Sequence, residues 1–341
     1  MEKLAHSNIR KKTVITAFFL LMCGLAFIEL ITGSVKIPFF SILNVFISKL
    51  FKHAAYSSLD IVILEIRLPR LLLAISAGMA LSVSGATFQG IFRNPLVSPY
   101  LLGVASGAAF GAALGFALSL PYTAVAVFAF GFGLLAVMTA YSISKIRGHA
   151  SITTLLLSGI IVSAFFFALT SLIEFIVTKE KLSSIVFWIM GGFTFASWEK
   201  VAISFPIIVL CILFIYLTSW QLNVISLGDE EAKSLGINIE KMRAILILLS
   251  TLIVAVIIAF TGTIGWIGLI VPHLARMVVG ADHRYLLPAS LFLGASFMVG
   301  ADIIARTAVE MEIPVGIITS LVGAPFFIYL LVKRGTRTAW D

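Results

Sequence analysis

The chain is built from continuous apolar runs of roughly 20 residues, one after another, and few folds can house them. Of its 341 residues, 60% are hydrophobic and only 12% charged. A soluble protein carries about twice that share of charge. A soluble enzyme, a nucleic-acid-binding domain and a disordered chain are therefore excluded, and an integral membrane protein remains. The runs do not alternate apolar and polar residues in strand-length pieces, which excludes a barrel and leaves helices. Helices satisfy their own backbone groups inside lipid.

About ten spans fit the pattern, near 14–33, 66–85, 98–118, 122–143, 152–177, 200–219, 242–261, 263–280, 286–305 and 314–333. The segment 263–280 is expected to be broken or short, because it carries Gly262, Gly265, Gly268 and Pro272. The basic start, with Arg10, Lys11 and Lys12 before a long apolar run, reads as a retained first helix. Placing both termini in the cytoplasm puts the larger share of Lys and Arg inside, including Arg93, Lys145, Arg147, Lys233, Lys241, Arg243, Arg284 and Arg337. Lys36, Lys52, Lys179 and Lys200 then fall outside. The net charge of +8 is accounted for by loops facing anionic lipid, with no call for nucleic acid. Cys23 and Cys211 both lie inside apolar runs and read as free thiols.

Three stretches do not span. Residues 34–65 form a long outer loop whose apolar pattern (Ile42, Val45, Phe46, Leu50, Phe51) predicts an interfacial helix. Residues 183–197 are too short to cross and read as a short outer helix or a re-entrant piece. Residues 220–241 form the most polar part of the middle of the chain, on the inner side. There Asp229 is expected to cap a helix that Gly236 ends, with a second short helix starting at Asn238. This segment is either a connecting loop or a docking knob for a soluble partner.

Gly103, Gly107, Gly111 and Gly115 recur every fourth residue, which places them on one helix face for close packing. Arg67, Arg70 and Arg306 lie at outer helix ends, either snorkelling to the interface or forming a docking site for an acidic partner. Glu29, Glu174 and Asp302 lie near span ends, whereas an ion-coupled secondary transporter places its carboxylates at the midplane. No phosphate loop and no zinc-protease motif occurs, and His273 has no second ligand at metal spacing. The chain therefore reads as a non-enzyme without a metal site, and a secondary transporter is the alternative to an ATP-driven one.

Several motifs together resemble one family: Arg67-Leu-Pro-Arg70, Gly85-Ala-Thr-Phe-Gln89, Arg93-Asn-Pro-Leu96, Ala232-Lys-Ser-Leu-Gly236, the run from Gly262 to His273 with Arg276, Asp282-His-Arg284, Asp302 with Arg306, and Pro314-x-Gly316-x-x-Thr319 with Gly323. This resembles the permease subunit of the ABC importers for iron–siderophores, haem and vitamin B12, the type II importers. The resemblance implies an all-α integral membrane protein of ten transmembrane helices, a single permease domain over 1–341, working as a homodimer with the pathway between subunits. It implies two ATP-binding subunits, which hold ATP and Mg, so that this chain needs no cofactor of its own. They would dock on coupling helices at 226–241, with Leu227, Gly228, Asp229, Ala232, Leu235 and Gly236 as contact residues. It implies an extracytoplasmic solute-binding protein that meets Arg67, Arg70 and Arg306. It implies location in the inner membrane of a prokaryote, and it makes span five, from Thr153 to Glu174, a candidate gate.

Overall fold

A computed structural model describes residues 2–33, 37–51, 57–146 and 151–334. Lys36, Lys52, Arg147 and Arg337 lie outside the described residues, as do the side chains of Phe46, Leu50 and Phe51. Among the described residues the chain is helical throughout: α1 (Glu2–Ile31), α2 (Phe39–Phe51), α3 (Ser58–Asp60), α4 (Leu68–Phe92), α5 (Val104–Ala117), α6 (Tyr122–Lys145), α7 (Ile152–Ile176), α8 (Lys179–Met190), α9 (Trp198–Leu217), α10 (Ser219–Leu227), α11 (Asp229–Ser234), α12 (Ile239–Thr261), α13 (Ile267–Val279), α14 (His283–Thr307) and α15 (Val315–Arg334). Seven described helices are long and apolar enough to cross a bilayer, and α5, α13 and α15 are shorter apolar helices. They fall on the expected spans.

The largest boundary difference is at the second span. The helix starts at Ser58, not near residue 66, and runs without a break through a π-helical stretch, Ile61–Arg67, into α4. Its start is set by a capping box, in which the Ser57 hydroxyl accepts from the Asp60 amide and the Asp60 carboxylate accepts from the Ser57 amide at 2.8 Å. The outer loop is correspondingly shorter than 34–65. It does contain a helix, α2, with Ile42 and Val45 buried.

Nearly every side chain of α4 is buried, and α14, α12, α13 and α9 pack around it. Small residues permit this. A Cβ at Gly78 would be driven into the carbonyl of Gly294 on α14, and one at Gly85 into the carbonyl of Gly268 on α13. The apolar region near 263–280 is broken as expected. Residues 262–266 are non-helical, Trp266 has φ +71, and only the 13 residues of α13 continue. Residues 183–197 contain a short helix, α8, which begins earlier, at Lys179.

The glycine ladder holds in three of its four members. Gly107, Gly111 and Gly115 face α6, and Cβ atoms at Gly107 and Gly111 would meet the carbonyls of Phe132 and Phe128. Gly103 is not on that face. Pro95 and Pro99 delay the helix, and Gly103 sits at its N-cap with φ +89, beside Val162 and Ser163 of α7. Gly111→Val is expected to force α5 and α6 apart and to destabilise the fold by about 1–3 kcal/mol or more. Thermal unfolding of the purified variant measures this, and an unchanged midpoint would show that the two backbones are not in contact.

Candidate functional site: an arginine cluster and a polar knob at opposite ends of α4

One end of α4 holds the predicted arginines, and the structure brings all three together. Arg70 Nε and Nη2 donate to the two oxygens of Asp302, each at 2.9 Å, a fork-to-fork pair between α4 and α14. Its remaining nitrogen, Nη1, donates to Glu312 at 2.8 Å. Arg306 lies 3.2 Å from Asp302 one helical turn away, and 3.5 Å from Glu29 of α1. Arg67 Nη1 donates to the Leu30 carbonyl at 2.6 Å. A Cβ at Gly33 would lie 3.1 Å from the Arg67 guanidinium and 3.5 Å from that of Arg306, so the end of α1 passes directly over both.

The cluster is enclosed. Arg67 and Arg70 are buried, as is the Arg306 side chain, together with Glu29 and Asp302. The cause is the cost of an unpaired charge near lipid, which neutralisation within the protein removes. Glu29 and Asp302 thereby have a role that the ion-coupling reading does not give them. Glu312 completes the cluster and was not singled out in the sequence. It is 39% exposed and also accepts from Thr194 Oγ1 at 3.0 Å. Beside it lies a cavity of about 410 Å³, lined by Arg70, Tyr122, Trp188, Thr194, Phe195 and Pro314.

At the other end of α4 sits the polar knob. Its two short helices are α10 and α11, joined at Gly228. The helix that starts at Asn238 is the spanning α12, not a second short one, although Asn238 does cap it by accepting from the Lys241 amide at 3.0 Å. Gly236, with φ +77, ends α11, and the Ile237 amide donates back to the Ala232 carbonyl at 3.0 Å, a glycine-type stop. Asp229 is the first residue of α11, not its cap; Gly228 holds that position. The Asp229 carboxylate instead accepts from Arg243 of α12 at 3.1 Å and pairs with Arg93, the left-handed C-cap of α4, at 3.5 Å.

Two further ties join the knob to the bundle. Ser226 Oγ donates to the Gly90 carbonyl of α4 at 3.3 Å. Asn223 donates to Asp282 at 2.8 Å and accepts from the His283 amide at 2.8 Å. Burial raises the Asp282 carboxyl, but hydrogen bonds from Arg284 and Asn223 outweigh it and hold the group at about 2. Its contribution to stability is present above the ordinary carboxylate range and is lost as pH falls toward 2. Ala232 is fully buried at the base of the knob, whereas Leu227 and Leu235 are 72% and 56% exposed. Inside the bundle, Gln89 accepts from Arg276 at 3.1 Å, linking α4 to α13.

A second cavity, of about 770 Å³, lies along α7, which runs through the predicted gate. Ser106, Phe167, Thr170, Glu174, Thr263 and Ser320 are among its lining residues. Glu174 makes no hydrogen bond or ion pair with the described residues.

A bundle of spanning helices, with a charge cluster at one end and an exposed polar knob at the other, is the build of a membrane permease. The chain belongs to the FecCD transport family, whose signature covers residues 19–333. It is 46% identical over 279 residues to the molybdate import permease MolB of Haemophilus influenzae, covering 80% of this chain and 82% of that one. It is 42% identical over 277 residues to an iron chelatin transport permease of Helicobacter pylori, covering 81% and 84%. A solved structure of an inward-facing, metal-chelate type ABC transporter superposes with a TM-score of 0.85 at 38% identity, covering 94% of this chain and 99% of that one.

Proposed function

We propose that this chain is the pathway-forming subunit of an ATP-driven importer for a metal chelate, an iron–siderophore before haem or cobalamin. Two copies pair, with the pathway between them. Each binds one ATP-hydrolysing subunit at α10–α11 on the cytoplasmic side, and ATP and Mg belong to that subunit. A solute-binding protein delivers cargo to the end that carries Arg67, Arg70 and Arg306. Both termini lie in the cytoplasm of a prokaryote, and the protein resides in its inner membrane.

The observation that carries this reading is the knob. Leu227 and Leu235 are large apolar side chains exposed on the most polar segment of the chain, where no lipid would cover them. A soluble partner would. The knob is also fastened to α4 and α14 by Asp229, Ser226 and Asn223, so force applied there reaches the bundle. The pairing of two copies has separate support. A carboxylate without a partner is costly toward lipid, so the Glu174 side of α7 is assigned to a water-filled axis between subunits. Of the three carboxylates an ion-coupled reading would use, Asp302 is engaged by Arg70 and Arg306, and Glu29 lies beside Arg306, which leaves only Glu174 to it.

Purification in mild detergent, with mass spectrometry of the accompanying proteins, tests the reading. An ATPase bearing a phosphate loop is expected to co-purify. A chain that repeatedly comes alone, even after cross-linking, would overturn it in favour of ion-coupled transport. The docking assignment has its own test. Arg67→Glu reverses a charge at the cluster and is expected to weaken capture of the solute-binding protein by at least about tenfold, with the ATPase still attached. Wild-type capture would remove the arginines from the docking face.

A further inference from the structure

The charge cluster at the head of α4 is uneven. Three arginines, Arg67, Arg70 and Arg306, face two fully enclosed carboxylates, Glu29 and Asp302. The third carboxylate is Glu312, and it differs in kind. It sits in the non-helical link between α14 and α15, it is the exposed member, and it meets a single cationic nitrogen, Arg70 Nη1. The other two donor positions of Arg70 are taken by Asp302. Without Glu312, Arg70 Nη1 loses its carboxylate, beside the 410 Å³ cavity that Arg70 helps to line.

We propose that Glu312 is a built-in stand-in for a carboxylate of the docking protein. It occupies Arg70 Nη1 in the unloaded permease and is displaced when an acidic side chain of the partner arrives. The proposal rests on the reading that this end of the bundle receives the solute-binding protein, and adds what the free permease does with its cation meanwhile. Arg70 can exchange one carboxylate for another without losing the two bonds to Asp302, so the fork stays oriented throughout. Thr194 is the second anchor of Glu312 and belongs to the link between α8 and α9. Displacing Glu312 therefore releases a tie between two links that border the same cavity. Lining that cavity are Ile313, Pro314, Thr194 and Phe195, so the freed space lies beside the exposed cation. The partner chemistry this fits is an Asp or Glu side chain on a protein surface, reaching in to a guanidinium edge.

The test uses the complete importer, permease with its ATPase, in lipid nanodiscs, and reads the affinity of its own solute-binding protein. Four permease variants are compared with wild type: Glu312→Gln, Thr194→Val, Glu310→Gln and Arg67→Glu. Glu310 is exposed in the same link and makes no hydrogen bond or ion pair with the described residues, so its variant removes the same charge without removing a partner of Arg70. Glu312→Gln is expected to tighten docking by about fivefold or more, since the competing carboxylate is gone. Thr194→Val keeps every charge and removes one anchor, and is expected to tighten it by roughly twofold. It also keeps a readout if Glu312→Gln proves poorly folded. Glu310→Gln is expected to change affinity less than about twofold.

Glu312→Gln that docks no better than wild type, or no better than Glu310→Gln, would overturn the stand-in role. If Arg67→Glu weakens docking in that same experiment, the docking face survives and only the role of Glu312 falls. If Arg67→Glu docks as wild type does, the docking face itself falls, and the stand-in role with it.

Discussion

Asp302→Leu is expected to destabilise the protein by about 3–5 kcal/mol, because it leaves two buried arginines without their shared carboxylate. The Asp302 side chain is fully enclosed, both of its oxygens accept from Arg70 at 2.9 Å, and Arg306 closes on it at 3.2 Å. Nothing else in the cluster can replace it. Glu312 reaches only the outer nitrogen of Arg70, and Glu29 stands 3.5 Å from Arg306. Against a total stability of about 5–15 kcal/mol, a loss of that size is a large fraction of the margin. Denaturant unfolding in detergent measures it. The double variant Asp302→Leu with Arg70→Leu is expected to recover part of the loss, since it takes the stranded guanidinium away with its partner. A single variant within about 1 kcal/mol of wild type would mean that the cluster does not bind α4 to α14.

Leu235→Asp, alone or with Gly236→Asp, is expected to leave the bundle folded and to shed the ATPase. Leu235 is more than half exposed, so its loss removes little from the core. On the docking face the same change places a charge in the centre of an apolar contact, where single residues commonly account for 2 kcal/mol or more. Uptake into cells should fall by more than about tenfold, in step with loss of the co-purifying subunit. Gly236→Asp adds backbone strain at φ +77 but meets no steric obstacle, so it acts through the turn that ends α11. An intact complex with wild-type uptake would remove Leu235 from the interface.

Most of the helical architecture was legible in the runs themselves, because the thickness of lipid dictates a length and composition that can be read residue by residue. The break before α13 was legible too, in Gly262 and Gly265, whereas Pro272 is carried inside the helix. The start of the second span at Ser58 was not. Glu65 read as the end of a loop and Arg67 as the outer end of the span, and only the folded chain shows that Arg67 is buried against Leu30 and that the helix has already begun. The arginines illustrate the same limit on the side of function. Their positions at helix ends could be read directly, and so could the one-turn spacing of Asp302 and Arg306. The partner of Arg70, however, lies 232 residues away, and no local pattern announces it. Glu312 was missed for that reason. Asp229 was assigned a cap on good local grounds, but Arg243 and Arg93 compete for the same carboxylate and hold it.

One helix touches both ends of the molecule. α4 begins within a turn of Arg70 and ends at Arg93, about 37 Å further on by the rise of its 25 residues. It contains no interior proline beyond its first turn, and it is pressed against α14 and α13 at Gly78 and Gly85, where a Cβ would clash with the facing backbone. A rod so seated has no hinge of its own. The wider turns of Ile61–Arg67 lie just ahead of it, and bending is expected there before it is expected within α4.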